Sequence, residues 1–385
     1  MIKSHEYSEK DVDMTVEVEV PGKKDPQNIA QSQWKLIWRR FKKHKLAKNS
    51  LIILVLLYIG LVGFAEFFAV HDRTDIFRNR YLPPQTIRFF DNEGNFHIRP
   101  FIYNRTQQMD PRTWSQTTVE DYSQRYHLRL FARGFEYQLL GLFTTDIHLL
   151  GVEEGGQLFL LGTDQLGRCI FSRIMFGTRI SLVIGLTGVF ISMILGVVIG
   201  GISGLVGGIV DDAIQRLIEV LMSIPHIPLW MAFAAIVPDA WSPLQVYFAI
   251  TLILSIIGWT GLARVVRSKF LSLREMDYVT AAHSFNAPMF YIIYKHLIPN
   301  FMSFLLVNLT LAIPTMILAE TALSFLGIGL RPPVVSLGVL LQGAQNFQTV
   351  SMHPWLLFPV VMVIVIVLCY NFVGDGLRDA ADPYQ

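Results

Sequence analysis

The chain has 385 residues, of which 52% are hydrophobic and 16% are charged. A soluble globular domain carries about 25% charged residues, so this chain has too little polar surface for a water-soluble globule of its size. The net charge of +2 implies no nucleic acid or other polyanionic partner. Two isolated cysteines, Cys169 and Cys369, make neither a disulfide framework nor a metal cluster.

Residues 1–30 form a polar stretch of mixed charge with no apolar core. A cleavable signal peptide needs an apolar core, so this stretch is not one. We predict a disordered polar tail over 1–30. A basic lead-in and the first membrane helix follow over 31–70.

Six stretches are apolar over the length of about 20 residues that a helix needs to cross the hydrocarbon core. They cover approximately residues 49–70, 180–206, 213–237, 244–266, 301–326 and 355–373. The third is the least apolar, because Arg216 and Glu219 lie in its first two turns and Pro225 and Pro228 interrupt it. We therefore expect a polytopic membrane protein with six transmembrane helices.

The distribution of cations predicts the orientation in the membrane. Seven lysines and arginines lie within residues 35–48, just before the first span, and five more lie between spans four and five. Short cytoplasmic loops carry such an excess of cations. Six spans then place both termini in the cytoplasm and residues 71–176 outside.

The long segment 71–176 is polar and aromatic, and long loops cross the membrane largely regardless of their charge. Two short strands are predicted around the turn DNEG at 91–94. The stretch HLRLFARGFEYQLLGLF at 127–143 is expected to be a helix or an interfacial segment. We predict a small α+β external domain here.

Several kinds of catalytic and binding motif are absent from the sequence. No G-x-x-x-x-G-K-[ST] phosphate loop, H-E-x-x-H, C-x-x-C or G-x-S-x-G occurs. The chain is therefore not expected to be an enzyme or to hold a cofactor or a metal. If it moves a solute uphill, the energy comes from an ion gradient or from another subunit.

The loop between spans four and five has a distinctive pattern of small and turn residues. It contains Ala281 and Ala282, then Asn286 four positions later, then Pro299 preceded by Ile298. This resembles the EAA loop of ABC importer permeases, which has glycine where Asn286 stands. The turn must tolerate a left-handed backbone, and asparagine is the next most tolerant residue after glycine. The alternative is an ordinary amphipathic surface helix.

Other stretches resemble the dipeptide, oligopeptide and nickel branch of this family, in its C-type subunit. They are LGTDQLGRCIFSRIMFGTRISL at 161–182, AETALSFLGIGLRPP at 319–333 and NFVGDGLRDAADP at 371–383. The family usually has aspartate where Cys169 stands. The resemblance covers about 31–70 and 158–385, and it carries no role onto the segment between them.

The resemblance implies an all-α polytopic protein of the type I ABC importer permease fold in the inner membrane. Its core would be 177–385, with a coupling loop at about 274–299. It implies a second, homologous permease, two cytoplasmic ATPase subunits that bind ATP and Mg²⁺, and an extracytoplasmic substrate-binding protein. ATPase docking would involve these residues of the loop: Asp277, Tyr278, Ala281, Ala282, His283, Phe285, Asn286 and Ala287.

The resemblance implies transport of di- or oligopeptides, although related permeases carry nickel, opines or oligosaccharides. An ion-coupled secondary transporter is the alternative class. It would need intramembrane carboxylates facing a cavity and inverted repeats, and the sequence shows no internal repeat.

An ionisable residue at membrane depth is a candidate functional residue, because a charge in the hydrocarbon core is costly. Glu320 lies beside small residues that suit helix packing, so it has either a packing role or a pathway role. Glu219 is placed to pair with Arg216 one turn earlier, and Glu66 lies near the outer end of the first span, where it could reach water. Three helix-interrupting prolines either line a path or only kink their helices: Pro225, Pro228 and Pro314.

Overall fold

The computed structural model describes residues 33–109, 116–238 and 240–382. The predicted tail at 1–30 lies outside these residues. Within the described ranges, five helices are long and apolar enough to cross a membrane, and a sixth span is present if one bent helix pair is counted. The five are Lys45–Phe68, Ile170–Val206, Pro243–Leu273, Phe301–Phe325 and Pro354–Ala381.

The described helices follow one another along the chain with one β region inserted. Before the β region lie α1 (Gln33–Lys43) and the first span, in which α2 (Lys45–Leu57) continues through a π turn (Tyr58–Gly63) into α3 (Phe64–Phe68). The remaining helices are α4 (Ile170–Val206), α5 (Gly208–Ser223), α6 (His226–Ala234), α7 (Pro243–Leu273), α8 (Asp277–Ser284), α9 (Met289–Ile292), α10 (Ile298–Phe325), α11 (Leu337–Gln342), α12 (Phe347–Met352) and α13 (Phe358–Ala381).

Helices α4 and α7 approach each other closely through glycines. Gly196, Gly200 and Gly204 recur every four residues on α4 and therefore share one face. A Cβ atom on Gly200 would lie 2.4 Å from the Ala263 carbonyl oxygen, and one on Gly204 would lie 2.8 Å from the Arg267 carbonyl oxygen. Small residues at such contacts let two membrane helices pack backbone to backbone.

The third predicted span is broken. Helices α5 and α6 together are apolar enough to cross the membrane, but they meet at an angle of 92°. The break lies at Ile224, which has an extended backbone (φ −91°, ψ 129°) and is followed by Pro225. A proline disfavours the helical conformation of the residue before it, which explains the break.

The segment between the first and second spans contains a four-stranded antiparallel sheet in the order β1-β2-β3-β4. The strands are β1 (Arg88–Phe90), β2 (Phe96–Met109), β3 (Gln116–Leu139) and β4 (Phe143–Val152). The predicted pair of strands around the DNEG turn is confirmed as β1 and β2. A hydrogen bond from His97 to Asp91 in this turn holds the pKa of Asp91 below its usual range.

The predicted α+β composition of this segment is not confirmed. The described residues within 71–157 form strands, turns and irregular structure, with no helix among them. The stretch at 127–143, predicted as a helix or an interfacial segment, belongs to β3 and its turn into β4. Pairing of Leu128 with Val152 and of Leu139 with Phe143 supplies the partner strand, and such long-range pairing overrides local helix propensity.

Candidate functional site

Helix α8 lies in the predicted coupling loop and ends at a left-handed residue. Asn286 has φ 54°. The Ala287 backbone N–H donates a hydrogen bond to the Ala282 carbonyl oxygen at 3.1 Å, which is the bond that closes a Schellman helix end. The prediction that this position requires a left-handed backbone is confirmed.

One face of α8 packs against its own chain. Val279 is 2% exposed and joins a compact apolar cluster. Ala282 and Ala287 are half-buried against the same cluster. The other buried members of this cluster come from α9, from the π-helical segment that follows it, and from the adjoining ends of α7 and α10: Val266, Phe270, Ile292, Leu297, Phe301 and Leu305. Helix α8 therefore packs on the ends of two membrane helices, α7 and α10.

The other face of α8 is open. Asp277 and Ala281 are exposed on this face, and so is Asn286 after the helix. Phe285, the residue directly after α8, is 86% exposed. Tyr278 is 38% exposed. The backbone of His283 lies in the helix, but its side chain falls outside the described part of the structure. Of the two small residues in the motif, only Ala281 faces outward, whereas Ala282 faces its own chain.

A network of charged and polar side chains lies near the apolar cluster on which α8 packs. The Arg267 guanidinium on α7 pairs with the Asp211 carboxylate on α5, and the Ser203 hydroxyl on α4 donates to the same carboxylate. Gln215 donates to Ser203 at 3.0 Å. Three helices are therefore tied together close to the cluster that carries α8.

A cavity of about 190 Å³ lies between α4, α6, α7 and α10. Its lining is mostly apolar, with a few polar groups contributed by Ser192, Asn308 and Thr315. The indole Nε1 of Trp230, another lining residue, is buried and has no hydrogen-bond partner among the described residues. A mostly apolar cavity with a few polar groups is the usual form of a small-molecule site.

None of these lining residues is among the candidate site residues that the sequence predicts. Among the described residues, the cavity lining does not include Glu219, Pro225, Pro228, Pro314 or Glu320. The sequence feature that could have indicated the cavity is the presence of polar residues within the apolar spans, namely Ser192, Asn308 and Thr315.

Glu320 is fully buried and is hydrogen-bonded within the chain. Ser181 on α4 donates to its carboxyl group at 3.1 Å, and Ser324 on α10 donates at 2.8 Å. The same two hydroxyls accept backbone N–H groups from Leu337 and Leu330. Glu320 thus connects α4, α10 and the segment that leads into α11, an arrangement that favours the packing role over the pathway role.

The remaining ionisable and proline positions lie elsewhere. Glu219 accepts a hydrogen bond from Arg216 at 2.9 Å, so the predicted pairing is confirmed. Glu66, expected to reach water, instead pairs with both terminal nitrogens of Arg179 on α4. Pro225 and Pro228 flank the start of α6 at the bend, and Pro314 lies within α10.

Two family matches cover most of the helical part of the chain. "Binding-protein-dependent transport system inner membrane component" matches residues 196–384, and "N-terminal TM domain of oligopeptide transport permease C" matches residues 32–84. The oligopeptide transport system permease protein OppC of Bacillus subtilis (strain 168) is 36% identical over 223 residues, which are 58% of this chain and 70% of that protein. The chain belongs to this family of transport-system inner-membrane components. The resemblance noted in the sequence is confirmed.

Two further relatives support the assignment of this chain, hereafter the permease, to the family. The dipeptide transport system permease protein DppC of B. subtilis is 38% identical, over 58% of this chain and 68% of its own. The OppC protein of Haemophilus influenzae is 39% identical, over 60% of this chain and 71% of its own. The permease is a multi-pass inner-membrane protein, and its family is that of permease subunits, which are not themselves catalytic. Residues 85–195, which include the β-sheet, lie between the two family matches.

Among solved structures, the permease is similar to a chain of the MetNI methionine ABC transporter in an inward-facing conformation. The identity is 19% and the TM-score is 0.42, over 54% of this chain and 96% of that chain.

Proposed function

We propose that this permease forms, together with a second homologous permease, the pathway of an ATP-driven importer for di- or oligopeptides. The names of its relatives, which are oligopeptide and dipeptide permeases at 36–39% identity, support the choice of substrate. We further propose the type I importer arrangement, with the bent pair α5 and α6 serving as the third of six spans.

Energy enters from partner subunits in this proposal. The chain has no phosphate-binding loop, so two cytoplasmic ATPase subunits bind ATP and Mg²⁺ and dock on the loop at 274–299. The observation that carries this proposal is the two-faced packing of α8. Its inner face packs on the ends of α7 and α10, and its outer face presents Ala281, with the exposed Phe285 directly after the helix.

The packing around α8 provides a route for force. A push on Phe285 moves α8, and because Val279 is buried in the cluster, the adjoining ends of α7 and α10 move with it. Helix α4 follows α7 because the glycine contacts leave no space between them. The cavity bounded by these helices and α6 would therefore change shape as the ATPases close and open, which is the basis of alternating access.

The proposed topology places both termini and the loop at 274–299 in the cytoplasm, with residues 71–176 outside. The substrate-binding protein would then deliver its cargo on the side of the β-sheet and of α12. Residues 177–385 form the permease core in this arrangement.

A matched pair of exposed phenylalanines tests ATPase docking. Phe285, which directly follows α8, is 86% exposed, and Phe347 on α12, at the other end of α10, is 87% exposed. We expect Phe285→Ala to weaken ATPase docking, because truncating an interface anchor costs roughly 2 kcal/mol, or about 30-fold in Kd. The measurement is the amount of ATPase that co-purifies with each variant of the complex.

The control variant Phe347→Ala should retain the ATPases in full. Ala281→Glu, which places a charge on the same open face of α8, should lose them as Phe285→Ala does. Wild-type ATPase retention by both Phe285→Ala and Ala281→Glu would show that docking takes place elsewhere.

A further inference from the structure

The turn between β3 and β4 carries an exposed apolar tip. Residues 139–143 read LLGLF. Leu140 is 61% exposed, Leu142 is 74% exposed and Phe143 is 69% exposed. Three adjacent large apolar side chains at the end of a hairpin are costly in water, because little of their surface is buried within the chain.

This tip lies beside the first membrane span rather than away from it. A Cβ atom built on Gly63 would lie 3.8 Å from Cδ2 of Leu140. Gly63 belongs to the span Lys45–Phe68 and precedes its end by five residues. At about 1.5 Å of rise per residue, that is about 7.5 Å back along the helix axis. The tip therefore reaches past the end of the span, to the level of its last turns.

Specific contacts hold the hairpin in this position. The His148 side chain of β4 is 2% exposed, and its Nδ1 lies 2.8 Å from the Glu66 carbonyl oxygen of α3. Its Nε2 lies 3.0 Å from the Phe135 carbonyl oxygen of β3. Because Glu66 also pairs with Arg179 of α4, the hairpin is fixed to two membrane helices.

We propose that the β3–β4 tip, residues 139–143, inserts into the adjacent leaflet of the bilayer and contacts lipid acyl chains. Its chemistry changes with distance from the turn. The tip itself is uncharged, and the nearest charged residues along the two strands are Glu136 and Asp146, followed by Arg133, whose side chain is 87% exposed. This order matches an apolar end in the hydrocarbon and charges at the headgroups.

The insertion is shallow. Strand β2 pairs with β3 only from Gln116 to His127, so the edge of β3 beyond His127 has no β2 partner among the described residues. Unpaired strand edges are not tolerated in hydrocarbon. Only the turn, where the Leu142 N–H donates to the Leu139 carbonyl oxygen at 3.0 Å, enters the acyl region. The inference rests on the membrane-spanning character of the chain and not on the proposed substrate or ATPases.

Site-directed fluorescence with nitroxide-labelled lipids tests the proposal. Leu142→Cys is labelled with a fluorophore in the assembled complex in lipid nanodiscs. Leu56→Cys, a 64% exposed position of the first span, is the membrane control, and Asn95→Cys, in the polar β1–β2 turn, is the water control. Both native cysteines are buried, so background labelling should be low. Phe143→Cys serves as a second tip position.

We expect quenching at positions 142 and 143 to exceed that at position 95 at least about threefold. A nitroxide near the headgroup should quench the tip more strongly than one near the end of the acyl chain. Quenching no stronger than at position 95 would overturn the proposal, whether water or another subunit covers the tip.

Discussion

The Asp211 carboxylate on α5 accepts two hydrogen bonds from the Arg267 guanidinium on α7. Ser203 on α4 donates a third to the same carboxylate. Arg267 is in the same helix as Phe270, which is fully buried in the cluster beneath α8. The charged network therefore joins α4 and α5 to the part of α7 that carries the docking helix.

Replacement of this carboxylate should destabilise the membrane domain. We expect Asp211→Asn to lower the free energy of unfolding by roughly 1–3 kcal/mol, because hydrogen bonds to charged groups are the strong ones and Arg267 loses its partner charge. The measurement is the thermal unfolding midpoint of the purified complex. Asp212→Asn, at the exposed neighbouring position, should lower the midpoint much less, because the charge of Asp212 acts on Arg267 more weakly than that of Asp211. Equal midpoints for the two variants would contradict a stabilising role for the pair.

The contact between α4 and α7 can be tested with a single methyl group. A Cβ atom on Gly200 would lie 2.4 Å from the Ala263 carbonyl oxygen, whereas one on Gly261 meets nothing within 4 Å. We expect Gly200→Ala to destabilise the protein by roughly 1–3 kcal/mol through overpacking. Gly261→Ala should be neutral or slightly stabilising, because alanine is the better helix former. An unfolding midpoint for Gly200→Ala equal to that of Gly261→Ala would show that the helices are not in close contact.

Periodic and compositional features of the fold were predictable from the sequence, whereas features that depend on distant partners were not. Apolar runs located the five continuous spans, since hydrocarbon sets their length. The spacing of Ala282, Asn286 and Pro299 indicated the helix and its left-handed end, because that geometry is local. The alternative of a helix over 127–143 is wrong because β3 pairs with β4, which follows only after the turn.

The same limit applies to the polar contacts and the cavity. The pairing of Glu66 with Arg179 joins residues more than a hundred positions apart, and no local pattern predicts it. The cavity-lining residues Ser192 and Asn308 come from different helices, so they form a group only once α4 and α10 are packed together.

The stability of the protein should depend on a polar side chain at position 320 but not on its negative charge. Glu320→Gln keeps an oxygen acceptor for Ser181 or Ser324, so we expect unfolding midpoint and uptake to stay close to wild type. Glu320→Leu leaves both hydroxyls without their acceptor in a buried site, which should cost roughly 1–3 kcal/mol. A Glu320→Gln variant that is fully stable yet inactive in uptake would instead indicate a role for the carboxylate in transport.

Cysteine labelling of intact cells tests the orientation of the chain. Asn95→Cys lies in the exposed β1–β2 turn, and Lys43→Cys lies at the end of α1 before the first span. We expect a membrane-impermeant thiol reagent to label position 95 from outside and position 43 only after permeabilisation. The wild-type chain serves as the control, since both of its cysteines are buried. Labelling of position 43 in sealed cells would contradict a cytoplasmic N-terminus.

Uptake by the reconstituted complex tests the central proposal most directly. The complex of both permeases and the ATPases is placed in proteoliposomes with its binding protein, and accumulation of a labelled di- or oligopeptide is measured. We predict uptake that requires ATP on the cytoplasmic side, proceeds without any ion gradient and is strongly reduced in the Phe285→Ala complex. Peptides should be taken up in preference to oligosaccharides or nickel. Uptake that continues without ATP and stops when an imposed ion gradient is dissipated would contradict the account.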